Sequence, residues 1–245
     1  MTAKCSNKPV AEEIANFRGD NRWFRLYTAG MTDDRKGGLA LIAGMAGTIV
    51  TMAFHPSGHD LMLPGKFQSQ ALLNIAVHSL ALFCLPVVFL GCLALTRRLW
   101  APDRYSMVAL VFFGFALVAV MTAAVASGLI APGLAKLMLD ADAAANGSAS
   151  QAWRVAFKLN GFVNQAFAKV FVVASSIAII FWSMAMRRQR PFHGAGIYGL
   201  CLAPATILVL LSGHLSLGVH GFGMVMVAQA IWFVSVGVLL QRVDS

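Results

Sequence analysis

Charged residues are scarce in this chain, and their scarcity excludes most soluble architectures. Lys, Arg, Asp and Glu together make up 12% of the 245 residues, whereas apolar residues make up 58%. A soluble domain carries about 25% charged residues, and no segment between the apolar runs is long enough to bury a core of its own. The composition therefore predicts a membrane protein that crosses the bilayer several times.

Cysteines and familiar catalytic motifs are also scarce. Cys84, Cys92 and Cys201 lie inside apolar runs, Cys5 lies in the polar leader, and none of them has CxxC or Cys/His metal spacing. We therefore expect free thiols and no disulfide framework. The chain has no Walker-type loop, no GxGxxG after a strand, no HExxH and no GxSxG. Without such a motif the sequence leaves open whether the protein is an enzyme.

The net charge of +9 would suggest a nucleic-acid partner in a soluble protein. Here the Lys and Arg residues cluster at the ends of apolar runs, so we expect them to fix the topology and to contact lipid headgroups. The predicted partner is the lipid bilayer, and no nucleic-acid partner is expected. Small residues at Ala40, Gly44 and Gly47 give the first run a face for close helix contact, and such faces could also form a homo-oligomer.

Six apolar runs follow a polar segment at residues 1–37, and they predict six transmembrane helices. The first run has 17 residues, about 26 Å as a helix, which is just enough to span a bilayer. Pro86 and Pro204 lie inside the second and fifth runs, where membrane helices tolerate a kink. The predicted fold is an all-α bundle over residues 38–241, with spans at 38–54, 71–95, 105–130, 162–186, 194–211 and 217–240.

The orientation follows from the Lys and Arg content of the short connections, which is higher on the cytoplasmic side. Basic residues precede run one, lie between runs two and three and between runs four and five, and follow run six. The basic residues on this side are Arg35, Lys36, Arg97, Arg98, Arg104, Arg187, Arg188, Arg190 and Arg242. The other side has only Lys66, Lys136 and Arg154 in its connections. We therefore predict cytoplasmic N- and C-termini, and an inner membrane if the source is bacterial.

Two segments outside the spans carry further expectations. No apolar stretch follows a short basic start, so we do not expect a signal peptide. We hypothesise that residues 1–30 are dispensable, with Met31 as an alternative start. Residues 133–152 are typical of a solvated loop. Asn160-Gly161 is a turn signal, so we expect either a helix that protrudes from the bilayer or a short interfacial helix at 149–159 before the fourth span.

Histidines collect on the predicted outer side, where His55-Pro56-Ser57-Gly58-His59-Asp60 follows the first run. His55 and His59 could share one helical face with Cβ atoms about 5–6 Å apart, close enough to chelate one ion, and Asp60 could be a ligand or orient a ring. His214 and His220 flank a second outer loop and could join them. We hypothesise a transition-metal site formed by these residues; the alternative is that they are interfacial polar residues at loop tips.

His78 lies about 10 Å inside the second run, among apolar neighbours, and an ionisable residue at that depth is expected to face the bundle interior. It could ligate haem opposite His214 or His220. Such a metal or haem site would suit electron transfer, oxidoreduction or metal handling. The alternative is a neutral histidine that forms a hydrogen bond with a neighbouring helix, together with Asn74 one turn before it.

A second functional hypothesis is a small transporter or channel, in which helices 2, 4 and 6 line a polar cavity. The candidates are Asn74, His78, Asn160, Asn164, Gln165 and Lys169. Lys169 lies about 27 Å along the helix axis from Arg187, so its ammonium could instead reach water at the outer interface. A third hypothesis is a non-catalytic membrane scaffold in which each of these residues tolerates substitution.

Overall fold

The computed structural model describes residues 31–56, 65–100 and 104–242. These residues form helices joined by short turns, with no strand among them. The α-helices are α1 (Met31–Ala53), α2 (Phe67–Trp100), α3 (Tyr105–Val125), α4 (Ala131–Ala143), α5 (Gly147–Met186), α6 (His193–Leu211) and α7 (Val219–Arg242). A π-helical turn, Ala126–Ile130, joins α3 to α4, and a 3₁₀ turn, Arg190–Phe192, precedes α6.

Six helical segments of the described chain are long and apolar enough to cross a membrane. They are α1, α2, the continuous segment from α3 to α4, α5, α6 and α7. The predicted all-α membrane bundle with six transmembrane helices is therefore confirmed. The helices α1, α2 and α5 extend several residues beyond the apolar runs that indicated them.

The six spans form a ring. The helix α1 packs between α2 and α7, α3 packs between α2 and α5, and α6 closes the ring between α5 and α7. Gly44 of α1 faces Val88 of α2 so closely that an added methyl group would overlap the valine side chain. The small-residue face predicted for the first run is therefore used inside the chain; the homo-oligomer remains a prediction.

One end of the ring is filled by aromatic side chains, and we call it the arginine-rich end because α2 and α5 finish there beside Arg98 and Arg187. Trp182 and Trp232 are fully buried, with ring centroids 6.2 Å apart. Trp182 donates a hydrogen bond to Thr96 Oγ1 at 3.0 Å. Since each indole N–H in this cluster finds an acceptor, the aromatic residues can fill the interior without an unpaired donor.

The prediction of a solvated loop at residues 133–152 is wrong. The helix α4 runs to Ala143, and α5 begins at Gly147, so the two helices are joined by three residues. The side chain of Asn146 caps α5 by accepting a hydrogen bond from Ala149 N at 3.2 Å, and Ala145 has a φ of 52° in the turn. The turn residues Ala145 and Asn146 thus form a short connection and a helix cap instead of a long loop.

The helix α5 is continuous over 40 residues, about 60 Å, so the first of the two alternatives, a protruding helix, is the one that the structure has. Its first turns pack against α4, and Arg154 forms an ion pair with Asp142 at 2.8 Å. Gly161 lies inside the helix, where glycine costs about 0.5–1 kcal/mol relative to alanine without breaking it.

Candidate ligand-binding cavity

A cavity of about 160 Å³ occupies the interior of the ring. Residues of α1, α2, α3, α5 and α7 line it, together with the chain just before α7, and α6 contributes none. Along α3 and the π-helical turn the lining extends from Phe113 to Ser127, about 21 Å along the axis. Phe113 and Phe233 lie at the deep end, where they contact Trp182 and Trp232. The aromatic cluster therefore separates the cavity from the arginine-rich end.

The lining combines apolar and neutral polar side chains. Among the described residues, no Lys, Arg, Asp or Glu lines the cavity. Six polar residues lie toward the end away from the arginines: Thr51, His55, His78, Ser127, Asn164 and Gln165. We call this group the polar end of the cavity. Toward the arginine-rich end, the walls are mainly methionine, phenylalanine and aliphatic residues. The cavity therefore offers an apolar body and a hydrogen-bonding end without a formal charge.

His78 is fixed on both sides of its ring. Its Nδ1 lies 2.8 Å from the carbonyl oxygen of Asn74, one turn earlier on α2. Because a carbonyl only accepts, Nδ1 carries the proton, and Nε2 of the neutral ring presents a lone pair. Nε2 lies 2.8 Å from Ser127 Oγ, which also lies 3.0 Å from the carbonyl oxygen of Ala123. The hydroxyl proton of Ser127 thus has two alternative acceptors.

His55 lies beside His78. It follows α1, and its Nδ1 lies 2.8 Å from the carbonyl oxygen of Pro56, so this ring too carries its proton on Nδ1. The two ring centroids are 4.7 Å apart, and the rings are inclined at 65°. Burial disfavours the charged imidazolium and lowers the pKa of His55 below its usual value near 6.5. The polar end therefore contains two neighbouring imidazoles from α1 and α2.

The π-helical turn supports this arrangement. A π turn disturbs the regular pairing of backbone groups, and here two asparagine amides bond to its carbonyls. Asn74 Nδ2 donates to Ser127 O at 2.7 Å, and Asn160 Nδ2 donates to Ala126 O at 2.8 Å. Gly128, also in the turn, lies against His78 so closely that a Cβ there would overlap the histidine side chain. The turn thus brings Ser127 and the α3 backbone up to the His78 ring.

Three amide side chains contact the cavity in different ways. Gln229 of α7 is buried and donates to Ser175 Oγ of α5 at 2.9 Å. Gln165 of α5 donates to Leu217 O at 3.1 Å and ties the chain before α7 to the cavity wall. Asn164 lines the cavity with no hydrogen bond to its side chain in the described part of the protein. Asn164 is therefore available to a ligand.

Only some of the residues predicted from the sequence come together. The cavity collects His55, His78, Asn164 and Gln165; Asn74 and Asn160 lie behind it and bond to the π-helical turn. His214 is exposed and bonds to Ser212 Oγ at 2.9 Å, His220 is exposed, and Lys169 is exposed on α5 outside the lining. His59 and Asp60 lie outside the described residues, as do residues 1–30.

The described residues contain no group of three His, Cys, Asp or Glu side chains placed to share a metal ion. The haem hypothesis meets a size problem as well. The cavity resembles in volume the engineered cavity of about 150 Å³ that holds benzene, and a tetrapyrrole is several times larger than benzene. The ring that neighbours His78 is His55, and neither His214 nor His220 lines the cavity. The residues present do not fit haem.

Sequence reasoning missed Ser127 and Gln229. Both had a signal, since each is an isolated polar residue inside an apolar run, and polar side chains at membrane depth usually face the bundle interior. Met52 was missed for a different reason, because a methionine in an apolar run carries no mark of the face on which it lies.

Comparison of the chain with protein-family models, with curated proteins and with solved structures finds no match.

Proposed function

We propose that this membrane protein binds a small uncharged molecule in the cavity, with an apolar body toward Phe113 and a hydrogen-bonding group toward His78. The observation that supports this proposal is the absence of Lys, Arg, Asp and Glu from the lining among the described residues. A charged ligand would leave water for a site without a counter-charge, which costs several kcal/mol. A neutral ligand loses only hydrogen bonds to water, and His55, His78, Ser127 and Asn164 can replace them.

The volume limits the size of the ligand. A cavity of about 160 Å³ accommodates a molecule of roughly benzene size. Flexible methionines such as Met52 and Met226 line it, and methionine side chains adapt readily to the shape of a ligand. The proposed ligand class is a small aromatic or aliphatic alcohol, amide or similar neutral amphiphile.

The test compares three probes of one shape: benzyl alcohol, benzoate and benzylammonium. Benzyl alcohol should raise the thermal stability of the purified protein, by about 1.4 kcal/mol at tenfold its Kd. The two charged probes should not. The Leu117→Trp variant fills the cavity and should abolish the effect, whereas Val118→Trp on the exposed face of the same helix should keep it. Equal stabilisation by benzoate, or a response that survives Leu117→Trp, would exclude this ligand class.

We further propose that the arginine-rich end faces the cytoplasm, in a cell (inner) membrane, so that the polar end of the cavity lies toward the opposite side. The support is the excess of Lys and Arg at that end. In a cysteine-free chain, a cysteine at Ser212 should react with a membrane-impermeant maleimide on intact cells, and one at Arg187 should react only after lysis. The reverse pattern would invert the orientation.

A further inference from the structure

We infer that His55, His78 and Met52 form a site for a soft monovalent cation, Cu(I), at the polar end of the cavity. The inference goes beyond the binding of a neutral molecule, because it concerns a different ligand at one end of the same cavity. It rests on the orientation of the two imidazoles, on their separation and on the charge of their surroundings.

Each imidazole is oriented as metal-binding histidines are. Metal ligands usually donate the N–H of the non-coordinating ring nitrogen to a carbonyl or carboxylate, which fixes the tautomer. His55 does so to Pro56 O, and His78 does so to Asn74 O, each at 2.8 Å. Both rings therefore keep an Nε2 lone pair for a ligand, and both line the cavity.

The separation of the rings suits a shared ion. With metal–nitrogen distances of about 2 Å, two imidazoles on one ion have ring centroids about 5–6 Å apart. The observed separation of 4.7 Å is close to this range, and His55 lies outside α1, where a small adjustment is available. Ser127 can release Nε2 of His78 without losing all its bonds, because its hydroxyl can donate to Ala123 O at 3.0 Å.

We assign the third ligand to the thioether of Met52. Met52 lines the cavity, and its carbonyl oxygen accepts a hydrogen bond from His55 N at 3.4 Å, so one turn of chain joins the two residues. Soft thioether ligands favour Cu(I), whereas imidazole alone accepts several metals. The combination of two imidazoles and one thioether therefore selects a soft ion that imidazole also binds.

The neutral lining favours a monovalent ion over a divalent ion. The donor set carries no charge, and no acidic side chain lines the cavity in the described part of the chain. A Cu(I) ion loses hydration here as an organic cation does, but its bonds to the ligand nitrogen and sulfur atoms offset that loss, and benzylammonium cannot form such bonds. The Born cost of burying an ion grows with the square of its charge, so a divalent ion loses about fourfold more solvation energy than a monovalent ion of the same size. Zn(II), whose sites usually contain a carboxylate, a thiolate or a third histidine, should therefore bind much more weakly than Cu(I).

The test is anaerobic titration of the purified full chain with Cu(I) in competition with the coloured chelator bicinchoninate, and separately with Zn(II). We expect one Cu(I) per chain and affinity for Zn(II) at least 100-fold weaker. His55→Gln, His78→Gln and Met52→Leu should each weaken Cu(I) binding at least tenfold. X-ray absorption should show a sulfur neighbour of copper that Met52→Leu removes.

Matched controls use exposed residues of the same types. His220→Gln and Met224→Leu, both on exposed positions of α7, should leave Cu(I) binding unchanged. Circular dichroism shows which variants fold. If His78→Gln does not fold, Cu(I) binding by His55→Gln and Met52→Leu tests the site. Loss of binding in His220→Gln, or full binding in a folded His55→Gln, would overturn the site, as would equal affinity for Zn(II).

The cavity-filling variant separates this site from the neutral-ligand proposal. Leu117 lies ten residues before Ser127 on α3, about 15 Å from the polar end. Leu117→Trp should therefore abolish the response to benzyl alcohol while Cu(I) still binds, so that either proposal can fail without the other.

Discussion

Replacing Gly128 by alanine should disrupt the packing between the π-helical turn and α2. A Cβ built at Gly128 would overlap Cβ and Cγ of His78, and it would lie 2.9 Å from Cδ2 of the ring. Since the overlap includes a Cβ fixed to the α2 backbone, rotation of the imidazole cannot relieve it. Forcing an extra methyl group into a packed interior costs about 1–3 kcal/mol, and we expect Gly128→Ala to destabilise the protein by that amount.

Gly114 provides the matched control. It lies on α3, and a Cβ built there meets no atom within 4 Å. Gly114→Ala should therefore show only the helix preference for alanine, a gain of about 0.5–1 kcal/mol. The two substitutions are chemically identical, so their difference isolates the contact with His78 from any general effect of removing a glycine.

The assay is thermal unfolding in mild detergent, followed by circular dichroism, where each kcal/mol corresponds to about 2–4 °C in Tm for a chain of this size. A double-mutant cycle adds a second check. His78→Gly removes the whole overlap and should rescue Gly128→Ala, whereas His78→Ala keeps the Cβ and should rescue it less. The reasoning is refuted if Gly128→Ala is as stable as Gly114→Ala, or if both rescues are equal.

Three further substitutions test other contacts by the same assay. Asn160→Ala removes the amide that bonds to Ala126 O and should cost about 0.6–1.7 kcal/mol, the range for hydrogen bonds between membrane helices; a neutral effect would contradict the support we assign to the π-helical turn. Ser183→Ala removes a buried hydroxyl that has no partner in the described part of the chain, so stability should stay equal or rise, and a loss above about 1 kcal/mol would reveal a bond. Asp142→Asn weakens the partly exposed ion pair with Arg154 and should cost no more than about 1 kcal/mol, which a larger loss would disprove.

The number of membrane helices could be predicted from the sequence because it depends only on the length and polarity of each run. The connection after the third run could not. Pro132-Gly133 indicated an end, but proline is also favoured in the first turn of a helix, and here Pro132 opens α4 directly after the π-helical turn. Pro132 is compatible with either a helix end or a helix start, and the packing of α4 against α5 favours the helix start.

The site was predictable only in part for a similar reason. Depth along a run placed His78 in the interior, and the structure has it buried. Its neighbours depend on how three helices meet, and no spacing in the sequence relates His78 to His55 or Ser127. The predicted partners His214 and His220 were expected at a comparable depth in the bilayer. Depth does not determine which side of the helix bundle a residue occupies.

The hydrogen-bond partners of the polar side chains indicate where the proposed ligand would bind. Around the polar end, Asn74, Asn160 and Gln165 each bond to a backbone carbonyl, so their role is to hold the wall. Asn164 and Nε2 of His55 bond to no described residue, and both residues line the cavity. These free donors and acceptors can therefore bond to a molecule in the cavity. A ligand that bonds to Asn164 and to one imidazole would satisfy both at once.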